Sequence, residues 1–132
     1  MPSTGQDMAR VLIIDDSPTE SRRVAQWLAR HGHDVFSAEN GDDGLVMART
    51  RMPDVVLMDV VMPGMNGFQA TREITRDEAT RHIPVIIVSS KRERADEVWG
   101  RRQGACGYLI KPVTEQLLID EVQRVLCTTL PE

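Results

Sequence analysis

The sequence predicts an α/β fold in which helices cover both faces of a doubly wound, five-stranded parallel sheet. Four short β-branched runs are apolar on both sides, which is typical of strands that helices cover from either face. Stretches with apolar residues at helical spacing separate these runs, so that a strand and a helix alternate five times. Short connections between alternating strands and helices indicate a parallel sheet joined by right-handed crossovers.

The strand signals occur in five segments. The four apolar runs cover residues 11–14, 55–58, 83–88 and 107–110. A fifth segment, residues 34–38, alternates polar and apolar side chains. Such alternation is typical of a strand with one exposed face, so we expect residues 34–38 at an edge of the sheet.

The first two helices have clear start and stop signals. Ser17 is a suitable N-cap with a proline directly after it, and Gly32 ends the helix that follows. The second helix opens at Asn40 or Gly41 and ends before Pro53, which cannot continue a helix.

The remaining three helices follow the later strands. Asn66 is the expected N-cap of the third helix, which we predict to run through about Glu78. The fourth is predicted over residues 92–103, with Gly104 as its C-terminal stop. The fifth begins at Thr114 and carries apolar residues at helical spacing.

Composition restricts the class of protein. The 132 residues fit one domain, which we place at residues 9–127, with residues 1–8 and 128–132 as loose termini. Lysine and arginine number 16 against 20 aspartates and glutamates, and the resulting formal net charge of −4 argues against nonspecific nucleic-acid binding. No apolar stretch approaches the ~18 residues of a membrane span. We therefore expect neither nucleic-acid binding nor membrane insertion.

Two further features predict a cytoplasmic location. The first eight residues lack the cationic start and apolar core of a signal peptide. Cys106 and Cys127 form no Cys-x-x-Cys pair and are too few for a disulfide framework. A reduced, cytoplasmic chain is the simplest interpretation.

Polar side chains follow four of the predicted strands. Asp15 and Asp16 come directly after the first strand, Asp59 after the third, Ser89 after the fourth and Lys111 after the fifth. The carboxyl ends of parallel strands meet at one edge of the sheet, where open α/β folds bind their ligands. We therefore expect these five side chains to lie together.

Clustered carboxylates repel one another unless a cation is present. Mg²⁺ is the cation best suited to a site of carboxylates, waters and phosphate oxygens. A carboxylate nucleophile beside a divalent ion, an ammonium and a hydroxyl suits phosphoryl transfer. Taken singly, each residue also has an ordinary explanation, since an acidic pair after a strand often caps a helix and a lysine before proline is often a turn residue. Their coincidence at one sheet edge favours the site.

Three segments resemble the receiver domain of two-component response regulators. Residues 11–17 (VLIIDDS) are similar to the family's acidic pair, residues 57–67 (LMDVVMPGMNG) to its phosphoacceptor loop and residues 104–112 (GACGYLIKP) to its lysine–proline segment. The resemblance covers about residues 9–126. It implies a flavodoxin-like sheet in the strand order 2-1-3-4-5.

The resemblance also implies a phosphorylation site. Asp59 would accept a phosphoryl group from a sensor histidine kinase. Asp16 would bind Mg²⁺, or Mn²⁺ in its place, directly, and Asp15 would bind it through water. Asp59 and the backbone carbonyl of Val61 would complete the protein ligands. Lys111 would bind the phosphoryl group, with a cis peptide bond to Pro112.

A switch and an output face are implied in the same way. Ser89 would be the switch hydroxyl, and Tyr108 the aromatic residue whose exposure changes on phosphorylation. The partner-binding face would include Arg92, Glu97, Arg101 and Tyr108. Such a module catalyses its own phosphorylation and dephosphorylation without turning over an external substrate, so we do not expect an enzyme in the usual sense. Since the receiver fills residues 9–126, we expect no DNA-binding output domain.

Three further segments are similar to one subfamily. Residues 15–20, 62–71 and 98–105 resemble the stand-alone PilH-type regulators of type IV pilus twitching motility. The implied partners are a chemotaxis-like histidine kinase and a downstream protein in motility.

Two other functions stay open at this point. A phosphate sink, which drains the kinase without an output partner, would use the same chemistry. A small Mg²⁺-dependent phosphatase-type enzyme is disfavoured, because the sequence has no Gly-x-Gly-x-x-Gly or P-loop motif and no second acid two residues after Asp59.

Overall fold

A computed structural model describes residues 8–129 of the chain. Strands and helices alternate from first to last, as predicted. The elements are β1 (Arg10–Ile14), α1 (Pro18–Arg30), β2 (Asp34–Ala38), α2 (Gly41–Arg51), β3 (Val55–Met58), α3 (Gly67–Arg76), β4 (Val85–Ser89), α4 (Arg94–Arg102), β5 (Gly107–Ile110) and α5 (Glu115–Thr129).

All strand pairs are parallel, and the strand order is β2-β1-β3-β4-β5. The predicted fold class and strand order are therefore confirmed. β2 lies at one edge, as the alternation of its side chains predicts. The order reverses direction between β1 and β3, which places the carboxyl ends of these two strands side by side.

Alternate residues of each central strand enter two separate apolar layers. Leu12 and Ile14 pack with α2 and α3 on one face, where the core also includes Ile74. Val11 and Ile13 pack on the other face with residues of α1 and α5. The predicted burial of both strand faces is confirmed, and it leaves the carboxyl edge of the sheet as the place where polar groups meet.

Side-chain caps begin the helices where the sequence indicates. The Ser17 hydroxyl accepts a hydrogen bond from the Glu20 amide, and the Asn40 side chain accepts one from the Asp43 amide. Asn66 and Gln69 form a reciprocal capping box at the start of α3. These caps hold the first turn of each helix next to the strand end that precedes it.

The fourth strand begins two residues later than predicted. The backbone amide of Ile83 donates to the Thr80 carbonyl in a turn, and Pro84 has no amide hydrogen for the sheet. Pairing therefore starts at Val85, opposite Val56, and Ser89 becomes the last residue of β4.

Two helices are shorter than predicted. α3 ends at Arg76 because the Asp77 carboxylate accepts hydrogen bonds from the Ala79 amide and from the Arg49 guanidinium. These bonds favour a turn over another helical residue. α4 starts at Arg94 instead of residue 92, because the Asp96 carboxylate accepts the Glu93 amide and makes Glu93 the N-cap.

The expected loose termini fall mainly outside the described residues. Residues 1–7 and 130–132 are not described, whereas α5 extends through Thr129 and so includes the start of the segment expected to be loose. Within residues 8–129, none of the helices has the length and apolar character needed to cross a membrane.

Candidate functional site

Three carboxylates meet at the carboxyl edge of the sheet. One oxygen from each of Asp15, Asp16 and Asp59 lies within 4.8 Å of the others. The Asp59 amide donates to the Ile14 carbonyl and the Asp15 amide to the Ala38 carbonyl, so sheet hydrogen bonds hold both residues in place. Asp15 and Asp59 are buried, and Asp16 is exposed. The structure brings together the carboxylates that the strand ends predicted.

Lys111 joins this cluster from β5. Its ammonium lies 3.4 Å from Asp15 Oδ2 and 3.3 Å from Asp59 Oδ1. Burial by itself lowers the pKa of Lys111, but the carboxylates of Asp15 and Asp59 outweigh burial and raise this pKa above its ordinary value. The ammonium therefore stays protonated at neutral pH and offers a fixed positive charge beside Asp59.

The environment of Asp59 opposes its ionisation. Burial is the main cause that raises the pKa of Asp59, and the nearby Asp15 carboxylate adds to it, while the Lys111 ammonium acts in the opposite direction. The net result is a pKa above the ordinary value of an aspartate. A negative charge here is relieved by an added cation or by neutralisation of the carboxylate.

The three carboxylates fit a divalent cation. Asp15 Oδ1 accepts the Ser17 amide and its Oδ2 faces Lys111, so the side chain is held in one orientation. Hard oxygen donors from two neighbouring strand ends, with one of them exposed to water, suit Mg²⁺ or Mn²⁺. Val61 follows Asp59 by two residues in a loop at the same edge, with its side chain exposed.

Ser89 and Tyr108 are linked through the backbone of one residue. The Ser89 hydroxyl, fully buried at the end of β4, accepts the Lys91 amide at 3.1 Å. The Lys91 carbonyl in turn accepts the Tyr108 hydroxyl at 2.7 Å. Lys91 therefore connects the Ser89 hydroxyl with the Tyr108 hydroxyl.

Tyr108 points into the protein, with only 9% of its surface exposed. Burial, followed by the carboxylates of Asp96 and Glu97, raises the pKa of Tyr108, although the nearby Ser89 hydroxyl acts against it. The sequence did not predict that the Tyr108 ring points inward in the unphosphorylated protein.

The other predicted residues lie around this centre. The peptide bond between Lys111 and Pro112 is cis. On α4, Glu97 and Arg101 form an ion pair at 3.2 Å, and Arg92 precedes the helix on the exposed surface. Val98 and Trp99 are also exposed there, by 45% and 49%. Three residues predicted for the partner face are therefore charged, the fourth, Tyr108, is buried, and two exposed apolar side chains lie among them on α4.

Sequence reasoning missed Gly67, a residue on which the position of Asp59 depends. The Gly67 amide donates to the Val60 carbonyl at 2.9 Å, and a Cβ at this position would overlap the Asp59 carbonyl oxygen and lie 2.7 Å from Val60 Cα. A glycine as the first residue of a helix was the available signal, since glycine is a poor helix former.

The family model described as the response regulator receiver domain matches residues 11–123. Among curated proteins, Protein PilH of Pseudomonas aeruginosa is 58% identical over 119 residues, which are 90% of this chain and 98% of that protein. Response regulator PleD of Caulobacter vibrioides is 36% identical over 115 residues, but these are 87% of this chain and only 25% of PleD.

Solved structures agree with the fold. The chemotaxis protein CheY4 of Vibrio cholerae superimposes with a TM-score of 0.85 at 30% sequence identity, covering 89% of this chain and 98% of CheY4. The BeF3-activated DrrB receiver domain has a TM-score of 0.80 at 26% identity, covering 90% of this chain and 97% of DrrB.

Proposed function

The chain belongs to the response regulator receiver domain family, and on that premise we propose that it is a single-domain response regulator phosphorylated on Asp59 by a sensor histidine kinase. The observation that carries the proposal is the convergence of a buried Asp59 with Asp15, Asp16 and the Lys111 ammonium. Among the described residues, no other group of three or more acidic, histidine or cysteine side chains lies close enough to hold a metal ion.

The reaction is a phosphoryl transfer between two proteins. A carboxylate oxygen of Asp59 attacks phosphorus as the bond between phosphorus and the kinase histidine breaks, which leaves an acyl phosphate on Asp59. Lys111 contacts the phosphoryl oxygens and neutralises part of their charge. A Mg²⁺ ion bound by Asp16, Asp59, the Val61 carbonyl and, through water, Asp15 would offset the remaining negative charge. Water later hydrolyses the acyl phosphate, so no external substrate is turned over.

Phosphorylation then changes the partner face. Ser89 donates its hydroxyl hydrogen to the phosphoryl group while it keeps the Lys91 amide as a donor. The Lys91 carbonyl moves with it and stabilises the inward Tyr108 ring, which changes the surface formed by Arg92, Glu97 and Arg101. The exposed Val98 and Trp99 in this surface favour an output partner over a pure phosphate sink.

The similarity to PilH supports a place in type IV pilus twitching motility, beside a chemotaxis-like kinase in the cytoplasm. The decisive experiment incubates the protein with candidate kinases and labelled ATP and measures transfer. A pull-down with native and phosphorylated protein then distinguishes a regulator with an output partner from a phosphate sink, because a phosphate sink binds no partner in a phosphorylation-dependent way. Failure of every kinase, and of acetyl phosphate, to label the protein would contradict the proposal.

Asp16→Ala should weaken Mg²⁺ binding, since it removes the exposed carboxylate of the cluster. We expect a loss of at least the roughly 10–100-fold that follows removal of a residue supporting a metal ligand. Isothermal calorimetry measures the affinity. Asp42→Ala removes an exposed acid outside the cluster and should leave the affinity unchanged; equal affinities in the two variants would rule out the site.

Ser89→Ala should accept phosphate yet fail to transmit it. The methyl group cannot donate to the phosphoryl group or accept the Lys91 amide, so the link to Tyr108 is lost. Phosphate incorporation and the NMR signals of the Tyr108 ring are measured together. The neighbouring, exposed Ser90→Ala should behave like wild type, and a normal ring response in Ser89→Ala would overturn the assigned role.

Lys111→Met should impair both phosphorylation and switching. It keeps an aliphatic stem but removes a charge-assisted contact of about 1.5–3 kcal/mol with the phosphoryl oxygens. The rate of labelling by acetyl phosphate and the phosphate lifetime are the measurements. Unchanged labelling and lifetime would exclude Lys111 from the reaction.

A further inference from the structure

Helix α4 meets the sheet through a glycine. Gly100 is the one buried residue of α4, all of which the structure describes, whereas α3 buries Ala70, Thr71 and Ile74 as well as a glycine. No large apolar side chain therefore anchors α4 to the sheet. Its backbone approaches the strands closely at one point.

The residues beneath that point are Ile87 of β4 and Tyr108 of β5. A Cβ at position 100 would lie 3.3 Å from both Cδ2 and Cε2 of the Tyr108 ring and 2.8 Å from Ile87 Cδ1. The Ile87 contact is with the end of a flexible side chain, which can rotate away. The ring edge is rigid, and the Tyr108 hydroxyl is bound to the Lys91 carbonyl, so the few tenths of an ångström that a methyl group needs come at the expense of this bond.

α4 itself is tied at its C-terminal end. The Thr75 hydroxyl of α3 donates to the Gln103 carbonyl at 2.6 Å, and the Gln103 amide donates to the Trp99 and Gly100 carbonyls of α4. This contact with α3 limits how far α4 moves from the sheet near Gly100. A side chain at position 100 would therefore crowd the inward ring.

We propose that Gly100 is a positioning residue that sets the balance between the inward and outward orientations of Tyr108. A methyl group at this position favours the outward ring without altering Asp59 or Lys111. Gly100 therefore tunes how readily the partner face adopts its phosphorylated form, a role that rests on the proposed function. The effect on the ring itself belongs to the unphosphorylated protein and does not depend on that function.

Tyr108 is the only tyrosine of the chain, so its ring signals are unambiguous. In unphosphorylated Gly100→Ala, NMR relaxation of the ring protons by a soluble paramagnetic agent should report an outward-to-inward ratio raised about five-fold or more. Gly44→Ala is the matched control, because this buried helical glycine on α2 faces the tip of Ile14 without a tyrosine nearby. A ring that stays inward in Gly100→Ala, or that moves equally in Gly44→Ala, would overturn the proposal.

A double-variant measurement covers the case in which Gly100→Ala folds poorly. Alanine is the better helix former, so without a steric conflict it should raise the urea midpoint. In the wild-type background we expect Gly100→Ala to lower the urea midpoint of unfolding. In a Tyr108→Leu background the same substitution should lower the midpoint by no more than half as much. Equal losses in both backgrounds would contradict the contact with the ring.

Acetyl phosphate labelling separates this proposal from the proposed function. Gly100→Ala should incorporate phosphate at Asp59 at the wild-type rate, with a smaller change of the Tyr108 signals. If the wild type is not labelled at all, the proposed function fails while the ring measurement still decides the role of Gly100. If Gly100→Ala loses labelling that the wild type shows, the glycine supports the acidic cluster and the proposal is wrong.

Discussion

Asp59→Asn should abolish phosphorylation by both a kinase and acetyl phosphate. Asp59 is a buried carboxylate 3.3 Å from the Lys111 ammonium and in one cluster with the acidic pair, and asparagine has no carboxylate oxygen to attack phosphorus. Labelling should fall to background. Asp54→Asn, which changes an exposed aspartate just before β3, should be labelled normally. Strong residual labelling of Asp59→Asn would place the acceptor elsewhere.

The same substitution should stabilise the fold at neutral pH. Burial, aided by Asp15, raises the pKa of Asp59 above its value in the unfolded chain despite the opposing Lys111. A group whose pKa is higher in the folded than in the unfolded protein stabilises the fold when the pH lies below its unfolded-state pKa. This stabilisation is lost as the pH rises through the folded-state pKa. The ionised Asp59 therefore weakens the fold at neutral pH. Urea unfolding of Asp59→Asn should give a higher midpoint at pH 7 than wild type, and a lower midpoint would contradict this account.

Gly67→Ala should destabilise the protein strongly and also reduce phosphorylation. Its methyl group would overlap the Asp59 carbonyl oxygen and press on Val60 Cα, and both are backbone atoms that cannot rotate away. We expect a loss of about 3 kcal/mol in the free energy of unfolding. Because the displaced backbone belongs to Asp59, labelling by acetyl phosphate should also slow.

Gly64→Ala is the control in the same loop. Gly64 has a positive φ of 75° but no atom within 4 Å of an added Cβ, so alanine there brings conformational strain alone, about 1–2 kcal/mol. Urea unfolding and labelling rates compare the two variants. If Gly64→Ala destabilises as much as Gly67→Ala, the loss at Gly67 comes from the loop conformation and not from the contact with Asp59.

Most of the architecture could be predicted from local patterns. Runs such as residues 55–58, apolar on both sides, specify a central strand, and caps such as Ser17 and Asn66 specify where helices begin. Since parallel strands place their carboxyl ends at one edge, the convergence of Asp15, Asp59 and Lys111 also followed from the sequence. The strand order came from the family resemblance and not from these patterns.

Boundaries that depend on side-chain hydrogen bonds could not be predicted. The late start of α4 results from the Asp96 carboxylate, which accepts the Glu93 amide. The early end of α3 reflects the Asp77 side chain, which binds Arg49 of another helix. Side chains with more than one possible partner choose between them only when the elements are packed together.

The sequence by itself determined the alternation of elements and the chemical groups at the strand ends, because periodicity and capping are properties of neighbouring residues. The tertiary structure decided that Tyr108 turns inward to the Lys91 carbonyl and that Gly67 and Gly100 each lie close to another element. These features join residues from different elements. The distance between such residues is set by how helices seat on the sheet, and close packing makes a single methyl group decisive there.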